Sequence, residues 1–398
     1  MATITVNRAG KGQISYRDPK RRLWLASVFM PLVPLLGIFG YSLTGAEVWF
    51  WLPLGVGYLA IPVLDWLFGV DESNPPEEVV PQLEEDRYYR YLTYAAVPMH
   101  FVVLIAIAAF VGTHDLAGWS VLALALSAGI YSGLGINTAH ELGHKKAPLE
   151  RALARIALAV PVYGHFCVEH NRGHHRHVAT PEDPASSRLG ESIYRFALRE
   201  IPGAWRRGWL EERARLEREG RSVWSARNEI LQSYALSALL QGGLIVAFGW
   251  IMVPFLLIHN AWAWFQLTSA NYIEHYGLLR DRDANGRYER CQPHHSWNAN
   301  YIASNIVLFQ LERHSDHHAN PTRRYQSLRN FDDLPQLPNG YFGMFLIAYV
   351  PWLWYRIMDR RVLALPHVRG DLSKVNIDPA RAETLPRPPG RRANSRAA

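Results

Sequence analysis

Three long stretches of the chain alternate with charged blocks, and the basic residues set the boundaries. No Lys or Arg occurs from Leu23 to Val70, between Arg90 and Lys145, or between Arg227 and Arg280, so all 42 basic residues lie outside these windows. A membrane-spanning helix needs about 20 apolar residues, and each window is long enough for two. Read as hairpins, they predict six spans, at approximately 23–43, 48–69, 93–112, 117–139, 232–250 and 252–270. The turns within the pairs (Thr44 to Glu47, Thr113 to Asp115 and the region of Trp250) carry no Lys or Arg. Every basic residue then falls on one side, which the positive-inside rule makes the cytoplasm. A soluble helical protein with buried hairpins is the alternative, and the span lengths and charge segregation disfavour it.

The expected fold is therefore an all-α integral membrane protein with six transmembrane helices and a cytoplasmic helical cap. A single domain is expected over 1–378, followed by a disordered Pro/Arg-rich tail over 379–398. The acidic run from Asp71 to Asp86 is expected to be a solvated loop, and residues 205–222 a helix without chemistry. The apolar stretch Ile156 to Phe166 is too short to span and should be buried or interfacial. Tyr341 to Tyr355, about 15 residues interrupted by Pro351, is expected to form an interfacial helix rather than a seventh span.

Composition adds less than this distribution, since mean hydropathy is only −0.10. The net charge of +7 fits an anionic lipid surface or an acidic partner, but one-sided topology alone produces it. Lys20-Arg21-Arg22 precedes the first span with no cleavage site after it, so no signal peptide is expected. The two cysteines, Cys167 and Cys291, form no Cys-x-x-Cys pair, which excludes an internal rubredoxin-type or ferredoxin-type centre.

The chemistry is carried by histidine. Of the 17 histidines, most fall in four short clusters: His140-Glu141-Leu142-Gly143-His144, Glu169 to His177, Asn271 to Gly277, and Arg313 to His318. On a helix, positions i and i+4 lie about 40° apart, so His140/His144, His170/His174 and His314/His318 each point to one side. Adjacent pairs, His174-His175 and His317-His318, diverge by about 100° and suit two neighbouring metals better than one. His-Glu-Leu-Gly-His also fits the zinc-protease pattern with Glu141 as general base, but that reading leaves at least five clustered histidines without a role. Imidazole suits iron as well, and iron activates dioxygen where zinc does not. Iron is the better expectation.

These motifs resemble those of the membrane alkane hydroxylases, or alkane 1-monooxygenases. The resemblance is carried by His-Glu-Leu-Gly-His-Lys at 140–145, Glu-His-Asn-Arg-Gly-His-His at 169–175, Asn-Tyr-Ile-Glu-His-Tyr-Gly at 271–277 and Arg-His-Ser-Asp-His-His-Ala at 313–319. Related fatty acid desaturases share three of these boxes. The resemblance implies two iron ions held by His140, His144, His170, His174, His175, His275, His314, His317 and His318, with their division between the irons left open. It implies hydroxylation of the terminal carbon of a linear alkane by dioxygen, in the inner membrane of a bacterium. The electrons would come from rubredoxin, itself reduced by an NAD(P)H-dependent reductase.

Glu141, Glu169, Glu274 and Asp316 adjoin these histidines in sequence. Each is expected to accept the outward N–H of a ligand from another helix, or in one case to bind iron directly. Gly55, Gly57, Gly133 and Gly135 could leave room for an alkane entering from the bilayer, or simply allow close helix packing. Arg323 and Arg324 are candidates for docking an acidic electron donor, and no nucleic-acid partner is expected. The alternatives kept are a membrane fatty-acyl desaturase or related di-iron hydroxylase, an intramembrane zinc protease, and a metal transporter. The last would place its ligands near the bilayer midplane rather than at helix ends.

Overall fold

A computed structural model describes residues 3–8, 12–331 and 333–381. The tail expected after Asp378 therefore lies, from residue 382 onward, outside the described residues. Among the described residues four helices are long and apolar enough to cross a membrane, or five if a bent pair counts as one span. The bent pair is α1 (Leu25–Leu32) and α2 (Pro34–Thr44), turned by 50°. Pro31 and Pro34 lie at the break, where each removes a backbone donor. Then follow α3 (Glu47–Phe68), α4 (Arg87–Thr113) and α5 (Gly118–Gly143). Gly45 closes the first hairpin turn at φ +71°, a conformation glycine adopts without strain. Asp86 caps α4 by accepting the Tyr88 N–H at 2.9 Å.

A short amphipathic helix, α6 (Pro148–Ala159), leads into the second histidine box. Ala157 to Val160 are buried there, as the short apolar stretch suggested. Next come α7 (Ile193–Arg218), α8 (Glu229–Phe248) and α9 (Met252–His275). α9 is long enough to span but is not apolar enough to be counted among the four. It carries buried His259, Asn260, Gln266, Thr268 and Asn271, which are satisfied inside the bundle. His259 Nε2 meets Ser132 Oγ at 2.8 Å, and Asn260 and Gln241 pair side chain to side chain at 2.9 and 3.0 Å.

α5 is the central helix, and 72% of its most apolar window is buried. It meets α9 through Gly129 and Gly133, where an added Cβ would lie 2.8 Å from the His259 carbonyl and 2.7 Å from Gln266 Cβ. This is a small-xxx-small contact, and it lets the two helices carrying the first and third boxes run side by side.

Three expectations need correction. The chain is not wholly helical, because β1 (Ile4–Arg8) and β2 (Gly12–Tyr16) pair antiparallel with Ile4 opposite Tyr16. Their alternate residues Ile4, Val6, Ile14 and Tyr16 pack on the core around Trp24 and Tyr89. The stretch Tyr341 to Tyr355 is two helices, α11 (Tyr341–Ala348) and α12 (Pro351–Ala364), broken before Pro351. α11 is mostly buried, with Met344 and Phe345 in the largest apolar cluster, so it is not simply interfacial. Nor is the acidic run from Asp71 to Asp86 a free solvated face. Asp71 binds Lys20 and Arg313, Asp86 binds Arg21, and Glu77 binds Arg323 and Arg329. Arg313 of the fourth box, with Arg323 and Arg329 just beyond it, draws this loop across the histidine end of the bundle.

Candidate metal centre

All nine box histidines meet at one end of the bundle. α5 contributes His140 near its last turn and His144 just past its end. The segment from Phe166 to His177 contributes His170, His174 and His175, and the end of α9 contributes His275. His314, His317 and His318 come from α10 (His314–Ala319).

Their nitrogens form two groups: His140, His144, His170, His175 and His317 in one, and His174, His275, His314 and His318 in the other. Within each group the donor atoms lie within 4.8 Å of one another. In the first, Nε2–Nε2 separations are 3.0 Å for His140–His317, 3.3 Å for His317–His175 and 3.1 Å for His175–His170. In the second they are 3.2 Å for His314–His275 and 3.0 Å for His318–His314.

Adjacent His317 and His318 divide between the groups, as their helical divergence suggested, and so do His174 and His175. The i,i+4 expectation holds for His140/His144 and His314/His318 but fails for His170/His174. Residues 170–174 form a π-turn, in which His175 N–H reaches the His170 carbonyl. The wider turn sets residue i+5 over residue i, so His170 joins His175 and His174 is freed for the other group.

The donor set fits a cation. His275 Nδ1 donates to the His295 carbonyl at 3.1 Å, which leaves its Nε2 as a lone pair facing His314 Nε2. Buried His144 Nε2 and His174 Nε2 have no protein partner. Burial holds the imidazoles of His170, His175, His314, His317 and His318 well below their ordinary pKa. Neutral imidazoles with converging lone pairs are metal ligands by type. A third group, Glu289, His294 and His295, differs in kind. The Gln292 N–H donates to His295 Nδ1 at 2.9 Å, so the single proton of a neutral ring sits on the Nε2 that would have to ligate.

Of the four neighbouring carboxylates only Glu274 approaches a box histidine ring, with Oε2 3.4 Å from His314 Nε2. That nitrogen points inward, so Glu274 does not orient a ligand through its outward N–H. Glu141 pairs with Lys145 at 3.0 Å, Asp316 with Arg323 at 3.1 Å, and Glu169 with Arg207. The carboxylate that does orient a histidine is Asp183, whose Oδ2 accepts from His174 Nδ1 at 2.9 Å. Its Oδ1 accepts from Arg207 Nη2 at 2.6 Å, and Arg207 Nε reaches Glu169 at 2.8 Å. Both residues were missed. Asp183 stands in a Pro-rich turn with no periodicity, and Arg207 lies in the helix read as free of chemistry. Asp183 does lie within ten residues of a box, but so do Glu150, Glu182, Asp281, Asp283 and Glu312, so proximity in the chain does not single it out.

Arg323 and Arg324 are not free docking charges. Arg323 is held by Asp316 and Glu77, and Arg324 by Glu150 at 2.8 Å, with side chains only 13% and 11% exposed. The fourth box itself, the acidic loop and α6 supply Asp316, Glu77 and Glu150 respectively.

An apolar cavity opens beside the histidines, between α5, α9 and α11. At its metal end lie His140, His170, His314 and Glu274, and its walls include Ile130, Ala270, Leu308 and Phe342. Gly133 lines it, but Gly57 and Gly135 do not. Their Cα atoms are pressed against Ile130 and His100, where an added Cβ would come within 2.6 and 3.2 Å. Gly55 borders open space and is not among the lining residues. For Gly57 and Gly135 close packing is the role.

The fatty acid desaturase family model matches residues 117–356, from α5 into α12. Alkane 1-monooxygenase 1 of Alcanivorax borkumensis is 55% identical over 369 residues, covering 92% of this chain and 91% of that protein. An alkane 1-monooxygenase of Pseudomonas putida is 55% identical over 371 residues, 93% and 92% of the two chains. The xylene/toluene monooxygenase hydroxylase component XylM of Pseudomonas putida is 27% identical over 348 residues, 83% and 86% of the two.

Proposed function

The chain belongs to the alkane 1-monooxygenase family, within the wider fatty acid desaturase family, and from that premise we propose that it converts a linear alkane to the primary alcohol with dioxygen, at two irons. It is a multi-pass integral membrane protein. In this reading α9 completes a set of six spans, and the histidines face the cytoplasm across a bacterial inner membrane. One iron is held by His140, His144, His170, His175 and His317, the other by His174, His275, His314 and His318. Electrons arrive from a reduced rubredoxin supplied by an NAD(P)H-dependent reductase, consistent with the lack of any Cys-x-x-Cys pair.

The observation that carries the proposal is the apolar cavity whose far end is made of box histidines. An alkane has no polar handle, so binding must come from burial of its methylenes, at about 0.8 kcal/mol each. Bound iron supplies the activation of dioxygen and the means to break a strong C–H bond. The protein's own part is orientation and exclusion of water. Ile130, Leu134, Ala270, Leu308 and Phe342 present no donor or acceptor to the chain, and a chain entering between the helices meets the metal end with its leading methyl. Terminal attack then follows from position rather than from bond strength.

With labelled dioxygen, NAD(P)H, reductase and rubredoxin, a linear alkane is expected to yield the labelled primary alcohol by mass spectrometry. An alkene without label would place the chain among the desaturases, and label at mid-chain carbons would refute the end-on cavity. A second test separates cavity from metal. Ala270 lines the cavity and is 6% exposed. Ala270→Phe should fill the space beside the metal end, abolishing turnover of long alkanes while the bound iron stays at its wild-type level. Overpacking of this kind costs about 1–3 kcal/mol, which a stable bundle survives. Unchanged turnover would show that substrate reaches the metals by another route.

A further inference from the structure

On α7 the side turned away from the metal centre carries an apolar stripe that nothing among the described residues covers. Tyr194, Leu198 and Trp205 are 51%, 79% and 46% exposed, and they follow at spacings of four and seven residues, one face of a helix. Trp209 extends the stripe, stacked on Trp205 with ring centroids 6.2 Å apart, and Trp224 leans on Trp209 at 5.5 Å. At the other end the Tyr194 hydroxyl donates to the Tyr349 carbonyl at 2.7 Å, next to Val350 and Trp352, the latter 66% exposed. These side chains form a line of aromatic and apolar groups along one level of the molecule.

That level is where α8 and α9 leave the apolar bundle. Glu212 of α7 accepts the Glu229 N–H at the start of α8 at 2.8 Å, and Tyr194 stacks on Phe265 of α9 at 6.3 Å. Further along α8, Leu239 and Val246 are 74% and 88% exposed, as expected of side chains facing lipid. The stripe on α7 is thus continuous with the outer, apolar faces of membrane-crossing helices. The flank of α7 above it is basic: Arg206 is exposed and in no ion pair among the described residues, while Arg195 and Arg213 are more than half exposed.

We propose that α7 lies in the plane of the bilayer surface, with Tyr194, Leu198, Trp205 and Trp209 among the acyl-chain boundary groups and Arg206 on anionic phospholipid headgroups. An apolar face rich in Trp and Tyr beneath a cationic flank is the physical pattern of an interfacial helix. Each free cation near an anionic surface adds to the attraction. The opposite face of the same helix holds Arg207, which binds Glu169 and Asp183, and Glu200, which accepts from Thr268 and Asn271. The bilayer therefore presses on the helix that braces His174.

The inference rests on the multi-pass membrane reading, and the two are tested apart by a label at Val246. Spin labels are placed on full-length protein at Leu198→Cys, Leu210→Cys and Val246→Cys, in nanodiscs of phosphatidylglycerol or of phosphatidylcholine. Relaxation by oxygen relative to an aqueous nickel chelate should be several-fold higher at 198 than at 210, although both sites are exposed in the protein. Arg206→Glu should lower the ratio at 198 in phosphatidylglycerol and leave it unchanged in phosphatidylcholine. Equal ratios at 198 and 210, with the label at 246 still in lipid, would overturn the proposal and leave the spans intact. Protection of 198 from both reagents that grows with protein concentration would also overturn it, since a second copy would then cover the stripe. Should a labelled variant not fold, hydroxyl-radical footprinting of the wild type decides. Trp205, Trp209, Trp224 and Trp352 should be oxidised several-fold less than their exposure in water allows, while Leu210 is not protected.

Discussion

His317→Ala is expected to reduce bound iron from two toward one per chain and to bring alkane turnover to background. His317 stands between two partners of the five-histidine group, its Nε2 3.0 Å from His140 and 3.3 Å from His175, and it is 2% exposed. Loss of an outer hydrogen-bond partner of a ligand costs about 10–100-fold in metal affinity, and loss of the ligand itself should exceed that. His367→Ala is the matched control. His367 packs at a tilt against His294, ring centroids 4.6 Å apart, and has no ring contact with the nine, so iron content should not change. Elemental analysis of purified protein checks both. Full iron in His317→Ala would break the five-and-four division, and one zinc with little iron in the wild type would revive the protease reading.

The second large effect is on stability. Arg207 is the shared counter-charge of Glu169 and Asp183, whose side chains are 4% and 0% exposed. Arg207→Ala leaves two buried carboxylates without it, and breaking a buried pair from one side costs about 3–5 kcal/mol. The loss should appear as release of iron and aggregation at markedly lower temperature than in the wild type. Arg207→Lys should recover only part of it, because one ammonium cannot span both carboxylates as the guanidinium does. Arg213→Ala on the same helix removes an ion pair that is more than half exposed on both sides, and should cost at most about 1 kcal/mol. Should Arg207→Ala and Arg213→Ala melt alike, the brace behind His174 has no energetic weight.

Some of this arrangement is local and could be read from the chain. The helical period makes His140/His144 and His314/His318 share a face, and makes His317 and His318 diverge, wherever the helices sit. Exclusion of Lys and Arg from three long windows likewise reports membrane helices without any knowledge of their packing, because a cation in hydrocarbon is costly at any position. The same local reasoning failed at His170, because one extra residue in the turn is a small change in backbone hydrogen bonding and a large one in side-chain direction.

Legible in the chain are the family, the membrane-crossing segments in outline, and the identity of the nine histidines that meet. The segments rest on residue type, the paired histidines on short spacing, and His275 with the full set of nine on the resemblance to a known family. The division of the nine into five and four, the hold of Asp183 rather than Glu169 on His174, and the brace of Arg207 across both carboxylates emerge only in the folded chain. The same holds for the pairing of Arg323 with Asp316 and Glu77, and of Arg324 with Glu150. These pairings join residues up to 246 positions apart. A charge takes whichever opposite charge folding brings nearest as water is withdrawn, and no local spacing encodes that choice.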